Sequence, residues 1–202
     1  MGTKAPVFEE IYADYLDQLR RAWPGLDLEG LGVCRAEDAV LATLYGQVYQ
    51  VSPRGIAGPG GGKPSHARCV VLAKYLLTHT REARPSGQWT SYRDFRDSAP
   101  YAASFAQYAQ GRIARNFAGR RAELAAACHG LGGAAPQSDL SYDLCLQFDA
   151  LPRVPLLLLF NDQDESFPAN CSLLFDQSAP AYLDMECLAM LGLILAEALS
   201  NF

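Results

Sequence analysis

The sequence predicts an α+β fold, a mainly antiparallel sheet packed against several amphipathic helices in a single domain. Three observations carry that expectation. Apolar residues near the N-terminus fall at helical spacing, residues 140–148 alternate with period two, and residues 154–160 are apolar almost throughout. The 202 residues, 50% hydrophobic and 19% charged, suit one globular core spanning 1–202.

Phe8, Ile11, Tyr12, Tyr15, Leu16 and Leu19 share one face of a first helix. Glu9 and Glu10 near its start and Arg20 and Arg21 near its end suit the helix dipole, and Pro24-Gly25 stops it. Val40–Leu44 and Val48–Val51 flank Tyr45-Gly46-Gln47, a short hairpin in which Gly46 takes the special backbone angle. The glycine-rich stretch Gly55–Pro64 leads into a helix expected from Ser65 to about Thr80. Gly87–Phe95 reads as a short strand or turn. Tyr101, Phe105, Tyr108, Ile113 and Phe117 then mark a helix, and Arg121–His129 another, ended by Gly132-Gly133.

From there the pattern turns to strands. Leu140, Tyr142, Leu144, Leu146 and Phe148 alternate with polar or small residues, the signature of a half-buried strand. Val154–Phe160 reads as a central strand covered on both faces. Asn161–Glu165 forms an acidic turn, Cys171–Asp176 returns as a strand, and Asp184 is placed to cap a last helix with Met185, Leu188, Leu191, Leu195 and Leu199 on one side.

Charge narrows the function. A net charge of −5 gives no general attraction to nucleic acid or anionic lipid, so neither is expected as a partner. Arg112, Arg115, Arg120 and Arg121 are spread along helical segments with Glu123 and read as solvated faces. No apolar stretch approaches the roughly 20 residues that span a bilayer, and Met1–Glu10 has no signal-like core, so a cytoplasmic location is expected. The six cysteines are scattered without a CxxC, which suits reduced, mostly buried thiols.

Several strings carry a family resemblance: Lys74-Tyr75-Leu76-Leu77, Gly87–Phe95, Leu151-Pro152-Arg153-Val154-Pro155, Asp164-Glu165, Phe167-Pro168, Leu174-Phe175-Asp176, Tyr182-Leu183 and Glu186. In these the chain resembles the uncharacterised prokaryotic family called domain of unknown function 3786. Some members carry an added iron-sulfur segment and are similar to accessory proteins of anaerobic corrinoid metabolism. The resemblance therefore implies an accessory role linked to corrinoid or one-carbon metabolism, without a cluster, because this chain lacks the cysteine-rich segment. It implies no activity and no cofactor.

Candidate site residues follow from residue chemistry. Asp162, Asp164 and Glu165, at the end of a buried strand, suit a hard cation or a carboxylate of raised pKa. The turn is not an EF-hand, since Leu173 stands where the last Glu ligand belongs; the plainer reading is a solvated turn separating two strands. His66 and Cys69, three apart, form a two-ligand corner, whereas His79 would lie about 20 Å from His66 along the helix. Lys63, Ser65 and Arg68 at a helix start suit an anion, although GxxxxGK[ST] fails at Ala57 and Pro64. Cys145 lies on the polar side of its strand, beside Asp143 and Gln147, which would not activate it. Trp89, Tyr92, Tyr101 and Tyr108 fit either a ligand pocket or the core.

The expected function is a non-catalytic binding or accessory domain for a small ligand or protein partner. A metal-dependent hydrolase or transferase using Asp162, Asp164 and Glu165 with His66 is the alternative, and a structural homo-oligomer is a third reading.

Overall fold

The computed structural model describes residues 4–78, 83–136 and 140–202. Its first element, helix α1 (Lys4–Ala22), runs into a 3-10 turn containing Pro24. Leu19 is fully buried, and Tyr12, Tyr15 and Leu16 pack against the core, whereas Phe8 and Ile11 remain 40% and 38% exposed. The predicted apolar face thus docks only over its C-terminal half. Because the chain is already helical at Lys4, Glu9 lies beyond the first turn, where the dipole has faded; it pairs with Lys63 instead.

After the short helix α2 (Leu28–Leu31) come β1 (Cys34–Ala36), β2 (Ala39–Leu44), β3 (Gln47–Ser52) and β4 (Gly55–Ala57), an antiparallel sheet in sequential order. The β2–β3 turn is tighter than expected. Tyr45 and Gly46 both have positive φ, 48° and 71°, as a two-residue primed hairpin requires. The hairpin tip reaches the second sheet: the Tyr45 N–H donates to the Ala150 carbonyl at 3.1 Å and its buried phenol to the Leu191 carbonyl at 2.8 Å.

The predicted glycine-rich loop begins later than expected, because Gly55–Ala57 pairs with β3 as β4. Helix α3 (His66–Leu77) follows and packs against α1. It ends before the predicted Thr80, and His79 lies outside the described residues.

The second sheet has the order β5-β8-β7-β6, with every neighbour antiparallel: β5 (Trp89–Ser91), β6 (Leu144–Leu151), β7 (Val154–Asn161) and β8 (Asn170–Asp176). Phe148 opposes Leu156, which opposes Phe175, so these three buried side chains form one row on the core face. Leu157 and Leu159, on the other face of β7, are buried as well, so the central strand is covered on both sides as its unbroken apolar run requires. Burying a leucine is worth about 1.5–3 kcal/mol, which makes β7 a dominant contributor to the core.

The strand expected from Leu140 starts at Leu144. Its ladder on β7 begins with Leu144 opposite Phe160, and Leu140 and Tyr142, which pair with no strand among the described residues, stay exposed.

Between β5 and β6 in sequence lie α4 (Ala99–Phe105), a π turn (Ala106–Gln110), α5 (Gly111–Phe117) and α6 (Arg121–Gly130). The Gln110 side-chain oxygen accepts the Leu173 N–H at 3.0 Å, one position beyond the last β5–β8 pair, Ser91 with Leu174. Helix α7 (Met185–Leu199) runs among α3, α4, α5 and α6, and Asp184 caps it by accepting the Cys187 N–H at 2.9 Å, as predicted. Gly192 lets α7 approach α4: a Cβ there would sit 2.3 Å from the Phe105 ring, which itself stacks on Tyr92. One core cluster takes residues from both sheets and from α3 and α7. The architecture is the α+β fold that the sequence predicts, with its strands divided between two sheets. Among the described residues, no helix is long and apolar enough to cross a membrane.

Candidate functional site

The acidic turn is a bend held by its own carboxylates. The Asp162 Oδ1 accepts the N–H groups of Gly119 at 2.6 Å and Gln163 at 2.8 Å, while its own N–H donates to Asp143 Oδ2. Asp164 Oδ1 accepts from the N–H groups of Ser166 and Phe167 at 2.7 and 2.8 Å, and the Asp164 N–H returns to the Phe167 carbonyl. These carboxylates satisfy backbone donors that a turn leaves unpaired. Glu165 is exposed. Among the described residues, no three His, Cys, Asp or Glu side chains are grouped to hold a metal ion.

His66 and Cys69 share a face of α3, as their spacing predicts, but turn to different neighbours. The His66 ring lies 4.4 Å from the Phe8 ring, and the Cys69 thiol donates to the Pro64 carbonyl at 3.6 Å. Burial pushes that thiol up to about 11, so it stays protonated at neutral pH. Burial also raises the Cys145 thiol, which therefore gains no nucleophilic activation.

At the start of α3, both cations are already neutralised. Lys63 reaches both Glu9 carboxylate oxygens at 2.8 Å and lies over the Tyr12 ring. Arg68 donates to Glu197 at 3.0 Å and to the Ser65 hydroxyl at 3.1 Å, so Ser65 sits at the N-cap position without capping the helix. An anion here would have to displace two carboxylates.

The resemblance strings do structural work of the same kind. Tyr75 is fully buried; its phenol donates to the Leu31 carbonyl and accepts the Arg153 N–H at 3.1 Å. Tyr92 and Tyr182 likewise send their phenols to the carbonyls of Met185 and Ala83. Asp176, with no exposed surface, takes N–H groups from Ser86, Gly87 and Ser178 and the Ser86 hydroxyl. Burial raises its carboxyl, but these donors outweigh it and hold the group below the usual aspartate range.

A different place gathers side chains with hydrogen-bonding groups still available. A cavity of about 490 Å³ lies across the end of the second sheet, on the face away from the Phe148–Leu156–Phe175 row. Trp89 opposes Asp176 and Asp149 opposes Pro155; since Leu156 opposes Phe175, the next step sets Pro155 beside Asp176. Trp89, Asp176, Pro155 and Asp149 therefore form a row across all four strands, with Gln147 on the same side of β6. The backbone of Gln147 is fixed by two hydrogen bonds with Ala134, 2.8 and 2.9 Å, which bring residues 134–136 up as one wall. Pro85 and Gly87, anchored through Asp176, form the other. Among the described residues, the Trp89 indole N–H, the Gln147 amide and the Asp149 carboxylate have no hydrogen-bond partner.

Sequence reasoning weighed Trp89 for such a pocket but missed Gln147 and Asp149. Their signal is the period-two polar face of β6 beneath a loop, and only strand order shows that Trp89 lies across from it. Of the aromatics weighed with Trp89, Tyr92 is core, while Tyr108 is exposed.

No curated protein and no solved structure matches the chain. A family model does match, over residues 28–198, and that span contains every strand of both sheets, the cavity and the acidic turn. The chain belongs to the family described as Domain of unknown function (DUF3786).

Proposed function

We propose that this chain is a non-catalytic binding domain for a small ligand, with the cavity across the second sheet as its site. One observation carries the reading: Trp89, Gln147 and Asp149 hold uncommitted polar groups on a rigid floor, while Asp162, Asp164, Lys63 and Arg68 are engaged within the fold. The volume lies in the range of small-molecule sites, and strands hold their side chains more firmly than loops do. A cytoplasmic location belongs to the same proposal; six free cysteines favour a reducing compartment. So does the accessory role in anaerobic corrinoid or one-carbon metabolism, which rests on the family resemblance alone.

A fragment screen followed through the Trp89 indole resonance tests the reading. Compounds that perturb Trp89 in the native chain and lose affinity in Gln147→Ala support it. Turnover of a substrate, abolished by a point change outside the cavity, would overturn it. A homo-oligomer is the second reading, favoured by the exposure of Val7, Phe8 and Ile11 along the start of α1. Light scattering over a concentration series tests it, and a monomer throughout counts against it.

A further inference from the structure

We propose, building on the binding reading above, that the ligand of this cavity is a small organic cation, an alkylammonium or guanidinium compound that also carries a hydrogen-bond acceptor. Both ionisable side chains in its lining are carboxylates, Asp149 and Asp176. The backbone donors around Asp176 fix one negative charge in the floor, and Asp149 supplies a second that is free to pair. The neighbouring cation Arg84 donates to the Ala83 carbonyl. An anion would therefore meet two like charges.

An inorganic cation fits poorly for a different reason. Calcium takes six to eight oxygen ligands and magnesium a close octahedron, whereas this cavity offers one uncommitted carboxylate and one amide oxygen spread over a wide floor. The rest of the lining suits carbon. Pro85, Pro136 and Pro155 bring ring methylenes to the lining and Trp89 brings an indole, the ring type that attracts a cation best. The indole N–H and the Gln147 amide then call for an acceptor on the same molecule.

The test uses the full chain and a matched set: choline, its uncharged carbon isostere neohexyl alcohol, the anion tert-butylacetate, and 2-guanidinoethanol, which joins a guanidinium group to a hydroxyl acceptor. The readout is the pair of indole N–H resonances, one for each of the two tryptophans, Trp23 and Trp89, assigned with Trp23→Phe. The expected result is that choline or 2-guanidinoethanol shifts the Trp89 signal while the alcohol and the anion do not. Asp149→Asn should weaken that binding roughly 10- to 100-fold, the loss of a charge-assisted contact. Its unchanged melting temperature would show that the fold is intact. Equal binding of the alcohol, or no effect of Asp149→Asn, overturns the cation assignment and leaves the binding reading standing. Failure of the whole set to move Trp89 also overturns the cation assignment, and the binding reading falls with it only if the fragment screen is silent too.

Discussion

The N–H of Arg153, in the β6–β7 turn, donates to the phenol of Tyr75 on α3, 78 residues away in sequence. The same phenol donates onward to the Leu31 carbonyl at the end of α2, so one hydroxyl joins a sheet turn and two helices. Tyr75→Phe would leave a donor and an acceptor unpaired in the interior. We expect a loss of about 2 kcal/mol, read as a lower urea midpoint at unchanged slope.

Asp176 and Asp184 give the fold an acid limit. Burial raises both carboxyls, but the Ser178, Ser86 and Gly87 donors at Asp176, and Lys74 and the Cys187 N–H at Asp184, outweigh it and lower both. A carboxyl held below its unfolded value binds fewer protons folded than unfolded. Its stabilisation is therefore present above about pH 4 and is lost as pH falls through the folded values. Denaturation followed from pH 7 to pH 2 should show this decline, and Asp176→Asn should both destabilise at pH 7, by about 2–3 kcal/mol, and flatten it.

Gly192 is required by Phe105. Gly192→Ala places a methyl 2.3 Å from the ring, and the α4–α7 crossing must open. The expected cost is about 1–3 kcal/mol. Phe105→Leu in the same chain should recover part of it, a coupling that a double-mutant thermal series measures directly.

The acidic turn should answer to backbone geometry rather than to metal. Asp164→Ala is expected to speed amide exchange at Ser166 and Phe167, whose N–H groups it holds, with only a small fall in melting temperature. Millimolar calcium or excess chelator should leave the native melting curve in place. A calcium-dependent rise of several degrees, lost in Asp164→Ala, would reverse this assignment.

What was legible in the sequence was what a short window can hold. β7 announces itself because a strand covered on both faces must be apolar at every step, and Gly46 between two apolar runs announces a hairpin because glycine accepts a positive φ, whereas nothing in the sequence signals the positive φ of Tyr45. β1 and β4 are three residues each, too short for a period, and go unmarked, whereas β5, equally short, falls within the stretch Gly87–Phe95 read as a short strand or turn. The alternation from Leu140 overran because pairing, not pattern, decides where a strand begins. The cavity was the least legible part. Residues 89, 147, 149, 155 and 176 meet only through strand order, and no local spacing encodes that order.

The π turn has a consequence beyond packing. β5 covers β8 for three residues, so the next free donor along that flank, Leu173, would template an incoming strand from another molecule. The Gln110 carboxamide already occupies it. The side chain acts as a one-residue surrogate strand, blocking edge-to-edge growth at that position. Replacing Gln110 should therefore show first as aggregation on concentration, before any change in melting.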